Sequence, residues 1–230
     1  MDPALVSLTA ASIAFVGTHF ALSHPLRRPL VGLLGERGFA AVYSLVAIGA
    51  FAWMVQAFRA APYEPRLWQG SADLPWAIAS VLTIVALALF LGSLNGNPAF
   101  PMQAGAALAT RQPKGAFCVT RHPMMWGFAL WAVAHIIAAP TPRTLIVATA
   151  ILILSLVGAH LQDRKKRVQT GAGWAVWSQR TSYWPRLSRL GALGWLWPAG
   201  LVLWLAITWA HAPLGYVPAG IWRWIVVPGA

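Results

Sequence analysis

Apolar residues in this chain gather into long runs instead of alternating with polar ones. The runs lie near residues 4–23, 39–58, 76–95, 122–139, 143–161 and 195–210. Each approaches the roughly 20 residues that a helix needs to cross a bilayer. The pattern predicts an all-α fold, a polytopic transmembrane helical bundle of about six spans. Polar, proline-bearing breaks separate the runs: APYEPRLWQGSADLPW after the second, and Asn95-Gly96-Asn97-Pro98 after the third. Only Ala139-Pro140-Thr141-Pro142-Arg143 joins the fourth to the fifth, so these two must form an antiparallel hairpin. Residues 164–192 are too polar to span. Trp174, Trp177, Tyr183 and Trp184 stand there beside arginines, the pattern of an amphipathic segment lying on the cytoplasmic surface. No internal repeat divides the chain, which reads as a single domain over 1–230, its motif-bearing part 4–192 and its last span 195–210.

Composition agrees with the pattern. Hydrophobic residues make up 58% and charged residues 10% of the 230, against about 25% charged in an ordinary soluble domain. A net charge of +12 raises the question of nucleic acid, but the basic residues flank apolar runs and form no soluble basic domain. They read instead as topology signals and contacts with membrane lipid. Thirteen of the 17 lysines and arginines fall in the breaks after the first, third and fifth runs; Arg59, Arg66, Arg143 and Arg223 fall on the other side. The rich side is then cytoplasmic, which places both termini in the periplasm of a bacterial inner membrane. The apolar N-terminal run lacks a basic leader and reads as a retained first helix. The single cysteine, Cys118, excludes an internal disulfide, and the lack of CxxCH excludes covalent haem attachment.

Ionisable residues within apolar runs are costly and mark function. His19 falls about a turn and a half inside the end of the first run, whereas His135 lies some 18 Å into the run that opens at Arg121-His122-Pro123. The hairpin sets His122 level with His160. His160, Asp163, Arg164 and Arg167 follow helical spacing along one face, and Asp163 can accept a hydrogen bond from an imidazole and fix its tautomer. Arg121 offers a guanidinium fork to a carboxylate or an anionic head group. The loop GNPAFPMQAGAAL is a candidate pocket wall, and His211 at the outer end of the last span reads as an interfacial residue.

The segments HFALSHPLR, LGERGFAAVYSL, RHPMMWGFALWAVAH and GAHLQDRKK, at these spacings, resemble the NnrU family of bacterial membrane proteins over most of residues 15–167. The resemblance implies a role in denitrification, in the appearance or function of nitrite and nitric oxide reductase. The same segments resemble 15-cis-zeta-carotene isomerase, a membrane enzyme that uses haem b to isomerise a polyene. Carried over residue by residue, that likeness implies haem b with His19 and His135 as iron ligands, and Arg121 as a partner for a propionate. The plant enzyme's cysteine three residues before the second histidine is here Ala132, so its switch of ligand has no counterpart. His122 with His160 is the second candidate pair. A weaker similarity runs to membrane methyltransferases that bind S-adenosylmethionine, through Arg121-His122-Pro123, Gly127, Asp163, Gly173, Trp177 and Pro185, with Asp and Trp where those enzymes carry Glu and Tyr. The expectation is a haem-b protein supporting denitrification, with a haem-dependent polyene isomerase and a methyltransferase as the alternatives.

Overall fold

The computed structural model describes residues 2–98, 105–215 and 217–225, and within them every regular element is helical. Ten α-helices follow one another: α1 (Pro3–Ser23), α2 (Arg27–Ala60), α3 (Asp73–Ser93), α4 (Gly105–Thr110), α5 (Ala116–Val119), α6 (Pro123–Ala138), α7 (Pro142–Thr170), α8 (Ala172–Arg180), α9 (Leu196–Gly215) and α10 (Trp222–Ile225). A 3₁₀ helix, Leu187–Leu193, precedes α9. The expected pocket wall between Gly96 and Leu108 falls partly on residues 99–104, outside the described residues.

The long helices arise where sequence dictates. Asp2 caps α1 by accepting from the Ala4 N–H at 2.7 Å, with Pro3 at the first helical position. Thr141 and Pro142 start α7 in the same way. The expected polar break before the second span is itself helical: α2 begins at Arg27 and bends at Gly35, whose φ of 69° lies in the left-handed region. Arginine and leucine are good helix formers, so residues 27–34 make a short basic helix of their own.

Principal contacts run in the order α2, α1, α7, α6, α3, α9, a single row of neighbours. Their interfaces are built from small residues: Ala79, Ala86 and Ala88 of α3, Gly127, Ala129, Ala132 and Ala134 of α6, Ala148, Ala150 and Ala159 of α7. Backbones therefore approach closely, as in membrane helices. A Cβ on Gly127 would stand 2.9 Å from the Ala86 carbonyl oxygen. Large apolar side chains point outward instead, among them Ile13, Leu45, Ile48, Val81 and Val202. This inversion of the soluble pattern is what a lipid solvent favours.

Four helices, α1, α2, α3 and α7, are long and apolar enough to cross a membrane alone, and the 3₁₀ helix with α9 makes a fifth through an 87° bend. The expected fourth span is shorter than six full crossings require. Proline at 123 and the Pro140 turn confine α6 to 16 residues, about 24 Å at 1.5 Å per residue, against a hydrocarbon core of about 30 Å.

One end of the bundle is basic and carries α4, α5, α8 and the 181–193 segment as a cap. Here the expected surface segment is corrected. Helix α7 continues to Thr170, and Trp174 and Trp177 are completely buried against Leu108 and Phe117. The apolar area of the two indoles holds them there, against the cost of two buried N–H groups with no hydrogen-bond partner among the described residues. Trp184, by contrast, is 65% exposed.

Candidate functional site

At the basic end, α6 starts directly after the Thr120 turn, which the 181–186 loop grips from outside. The Arg121 N–H donates to the Ser182 carbonyl at 2.8 Å, Thr120 Oγ1 to the Tyr183 carbonyl at 2.8 Å, and Trp126 Nε1 to the same carbonyl at 2.8 Å. Asp163, near the end of α7, receives the two side chains so presented. Arg121 Nε lies 3.0 Å from both carboxylate oxygens and Nη2 pairs with Oδ2, a guanidinium fork closed on a carboxylate. His122 Nε2 donates to Asp163 Oδ1 at 2.8 Å, and Nδ1 meets Gln162 Oε1 at 3.2 Å. The His122 side chain is fully buried, those of Arg121 and Asp163 nearly so. Tyr183 closes the cluster, its hydroxyl donating to the Leu156 carbonyl at 2.9 Å. Burial, then the Asp163 carboxylate, pushes the Tyr183 phenol up from its ordinary pKa.

Asp163 thus does fix an imidazole, that of His122. His160 takes no part. It is exposed, while Ala159, Asp163 and Lys166 are buried, so the inward face of α7 runs one residue aside from the expected His160, Asp163, Arg164, Arg167 stripe. Arg121 Nε and Nη2 and His122 Nε2 all meet Asp163, so the guanidinium fork is already closed on a carboxylate of the chain itself.

The other end holds a half-open apolar cavity of about 240 Å³ between α3, α6 and α9, with Trp76, Phe90, Trp131 and Trp204 among its walls. Two of these indoles are locked: Trp204 Nε1 donates to Thr83 Oγ1 at 2.9 Å and Trp76 Nε1 to the Gly220 carbonyl at 2.9 Å. Two histidines line the same cavity, His135 from α6 and His211 from α9. Their ring centroids lie 6.5 Å apart with planes 31° from parallel. His135 Nδ1 donates to the Trp131 carbonyl at 2.8 Å and His211 Nδ1 to the Ile207 carbonyl at 2.7 Å. A carbonyl only accepts, so each Nδ1 carries a proton, and in the neutral ring Nε2 is the nitrogen with the lone pair. Neither Nε2 has a hydrogen-bond partner among the described residues. The His135 ring also stacks on Trp131 at 4.1 Å.

His19 lies far from this pair. It sits one turn before the end of α1, where neighbouring Phe20 approaches the Gly158 position on α7 to 3.9 Å. His135 sits beside the turn into Pro142, and 16 residues of α7 separate those levels, about 24 Å. His19 Nδ1 donates to the Phe15 carbonyl at 2.7 Å, and the His19 ring meets Phe15 and Tyr43. The structure therefore brings His135 together with His211, not with His19, and His122 together with Asp163, not with His160. The interfacial look of His211 in the sequence hid it: only the packing of α9 on α3 carries it to α6. His135 was visible as an ionisable group inside an apolar run and Asp163 as an acceptor for an imidazole; His211 as the partner of His135 was not.

Two imidazoles whose Nδ1 atoms are tied to carbonyls, in an aromatic slot, are a donor set that suits haem iron when the rings are neutral. The volume is below the roughly 300–1,000 Å³ of ordinary cofactor clefts, so the open side is needed to accommodate a macrocycle. Among the described residues no group of three or more His, Cys, Asp or Glu side chains could hold a bare metal ion.

No curated protein and no solved structure matches the chain. The family model described as NnrU protein matches residues 7–219, nearly its whole length, from the first helix through α9. On that match, the all-helical membrane protein that carries the Arg121–Asp163–His122 lock at one end and the His135–His211 pair at the other belongs to the NnrU family.

Proposed function

We propose that this NnrU protein is an integral haem-b protein of the bacterial inner membrane that supports denitrification, through the nitrite and nitric oxide reductase system. One observation carries the haem reading: two imidazoles from different helices share an aromatic cavity, 6.5 Å apart, each with Nδ1 tied to a carbonyl and Nε2 unengaged. His135 and His211 would hold the iron, and His19 is left out of the site. Bound haem supplies a one-electron centre whose potential is set by its axial ligands and surroundings. The chain's own part is to fix both imidazole tautomers, to exclude water with indole walls, and to hold the site at the end of the bundle opposite its basic cap.

A polyene isomerase remains the second reading, because the indole and phenyl walls beside His135 suit a flat conjugated hydrocarbon. Methyl transfer draws no such support. The guanidinium fork of Arg121 and Nε2 of His122 are already turned to Asp163.

The visible spectrum of detergent-purified protein, oxidised and reduced, tests the haem site. His135→Ala and His211→Ala should each abolish or strongly weaken the Soret band, and His19→Ala should leave it in place. Wild-type protein that stays colourless after haemin is added overturns the haem reading; a band lost in His19→Ala but kept in His211→Ala overturns the ligand assignment. Deletion of the gene followed by complementation with His211→Ala then addresses the role. Restored nitrite and nitric oxide reductase activities would separate denitrification support from haem.

A further inference from the structure

Where α1 passes into α2, Ser23, His24, Arg27 and Arg28 face Arg164 and Lys165 of α7 across a cleft of about 430 Å³. Among the described residues the one acidic side chain paired with a cation of the cleft is Glu36, which meets Arg27 at 2.8 Å from an exposed position. Among the described residues no acidic group pairs with Arg28, Arg164 or Lys165. His24 feels the imbalance. Burial first, then the Lys165 and Arg164 charges, hold its pKa below the ordinary histidine value. Like charges converging on a recess raise the energy of the folded protein unless an anion enters it.

The surroundings say what kind of anion. Leu161 and Val168 line the same cleft, Val168 at 74% exposure, and Leu26 and Leu33 stand exposed on the short basic helix before the Gly35 bend. Guanidinium and ammonium groups thus meet apolar side chains at the level where the helices leave the bilayer. A phosphate-bearing head group with acyl chains satisfies both halves at once; a free phosphate would leave the apolar rim in water. We propose that this cleft is a specific binding site for the phosphate head group of an anionic phospholipid, independent of the haem site at the other end of the bundle.

Native mass spectrometry of the full-length protein in detergent, with phosphatidylglycerol and phosphatidylcholine of identical acyl chains, tests it. Wild type should retain phosphatidylglycerol preferentially, and neutralising cleft cations should weaken that retention by roughly fivefold for each charge removed. Arg28→Gln/Arg164→Gln/Lys165→Gln should lose the preference altogether. Lys165→Arg should keep it, and so should Arg59→Gln/Arg66→Gln at the opposite end, which controls for net charge. Equal retention of both lipids by wild type, or a preference unchanged in the triple variant, overturns the proposal. So does retention of inorganic phosphate alone with the same dependence on the three residues, which would reassign the cleft to a soluble anion. Lys165→Gln alone provides the same readings if the triple variant does not fold.

Discussion

Asp163 is the residue on which the basic end depends, because one carboxylate answers two buried groups from a different segment. Breaking a buried ion pair by removing one partner costs about 3–5 kcal/mol, chiefly through the charge left behind. The two ways of breaking this pair are unequal. Asp163→Asn strands the Arg121 guanidinium and gives His122 Nε2 a weaker acceptor, so the full penalty is expected. Arg121→Gln leaves Asp163 with a donor already 2.8 Å away at His122, so the loss should be smaller. Thermal unfolding in detergent measures both; equal losses would show that His122 does not buffer the carboxylate. Neither change should move the spectrum of a haem held by His135 and His211. The sequence made Arg121, His122 and Asp163 legible as a polar cluster, since the short turn at Pro140 forces the hairpin that aligns them. It left His211 illegible, because a histidine at the end of a span has the same look whether it faces lipid head groups or a partner ring. Trp174 and Trp177 misled for a related reason: aromatic residues beside arginines mark an interface only when nothing packs over them, and α4 and α5 do.

Among the elements, the contact of α3 with α6 carries the cavity. Gly127 makes it possible, since a methyl group there would press on the Ala86 carbonyl oxygen, an atom of the backbone that cannot swing aside. Gly127→Ala should therefore force the two helices apart and lower stability by about 1–3 kcal/mol. Gly49→Ala, on the part of α2 where an added Cβ meets nothing within 4 Å, should be neutral or stabilising. If both melt alike, close packing is not what holds α6. Because Gly127 also lines the cavity with His135, the first substitution should perturb a bound chromophore as well. Five of the six expected spans are recognisable as long helices, and the small interface residues explain why their hydrophobic periodicity was weak: packing faces of alanine and lipid faces of leucine are both apolar. The bend at Gly35 and the brevity of α6 depend on a backbone angle and on two proline turns, which run length alone does not encode.

At the scale of the whole molecule, the two ends differ in kind. The basic end combines the polar cap, the Arg121–Asp163–His122 lock and the anion cleft; the other end holds the His135–His211 cavity. The distribution of lysine and arginine predicts which compartment each faces, because positive segments resist translocation. On that rule the cleft would meet the negatively charged cytoplasmic leaflet and the histidine pair would lie near the periplasm. Single-cysteine variants in a Cys118→Ser background test it. Gln69→Cys, in the exposed loop before α3, should react with a membrane-impermeant maleimide in intact cells, and Gln179→Cys, in the cap, only after permeabilisation. The reverse pattern would turn the cleft toward the periplasm and the histidine pair toward the cytoplasm, and would remove the electrostatic reason for lysine and arginine to collect where they do. The expected pattern would put the His135–His211 cavity at the periplasmic face and the basic cleft at the cytoplasmic one.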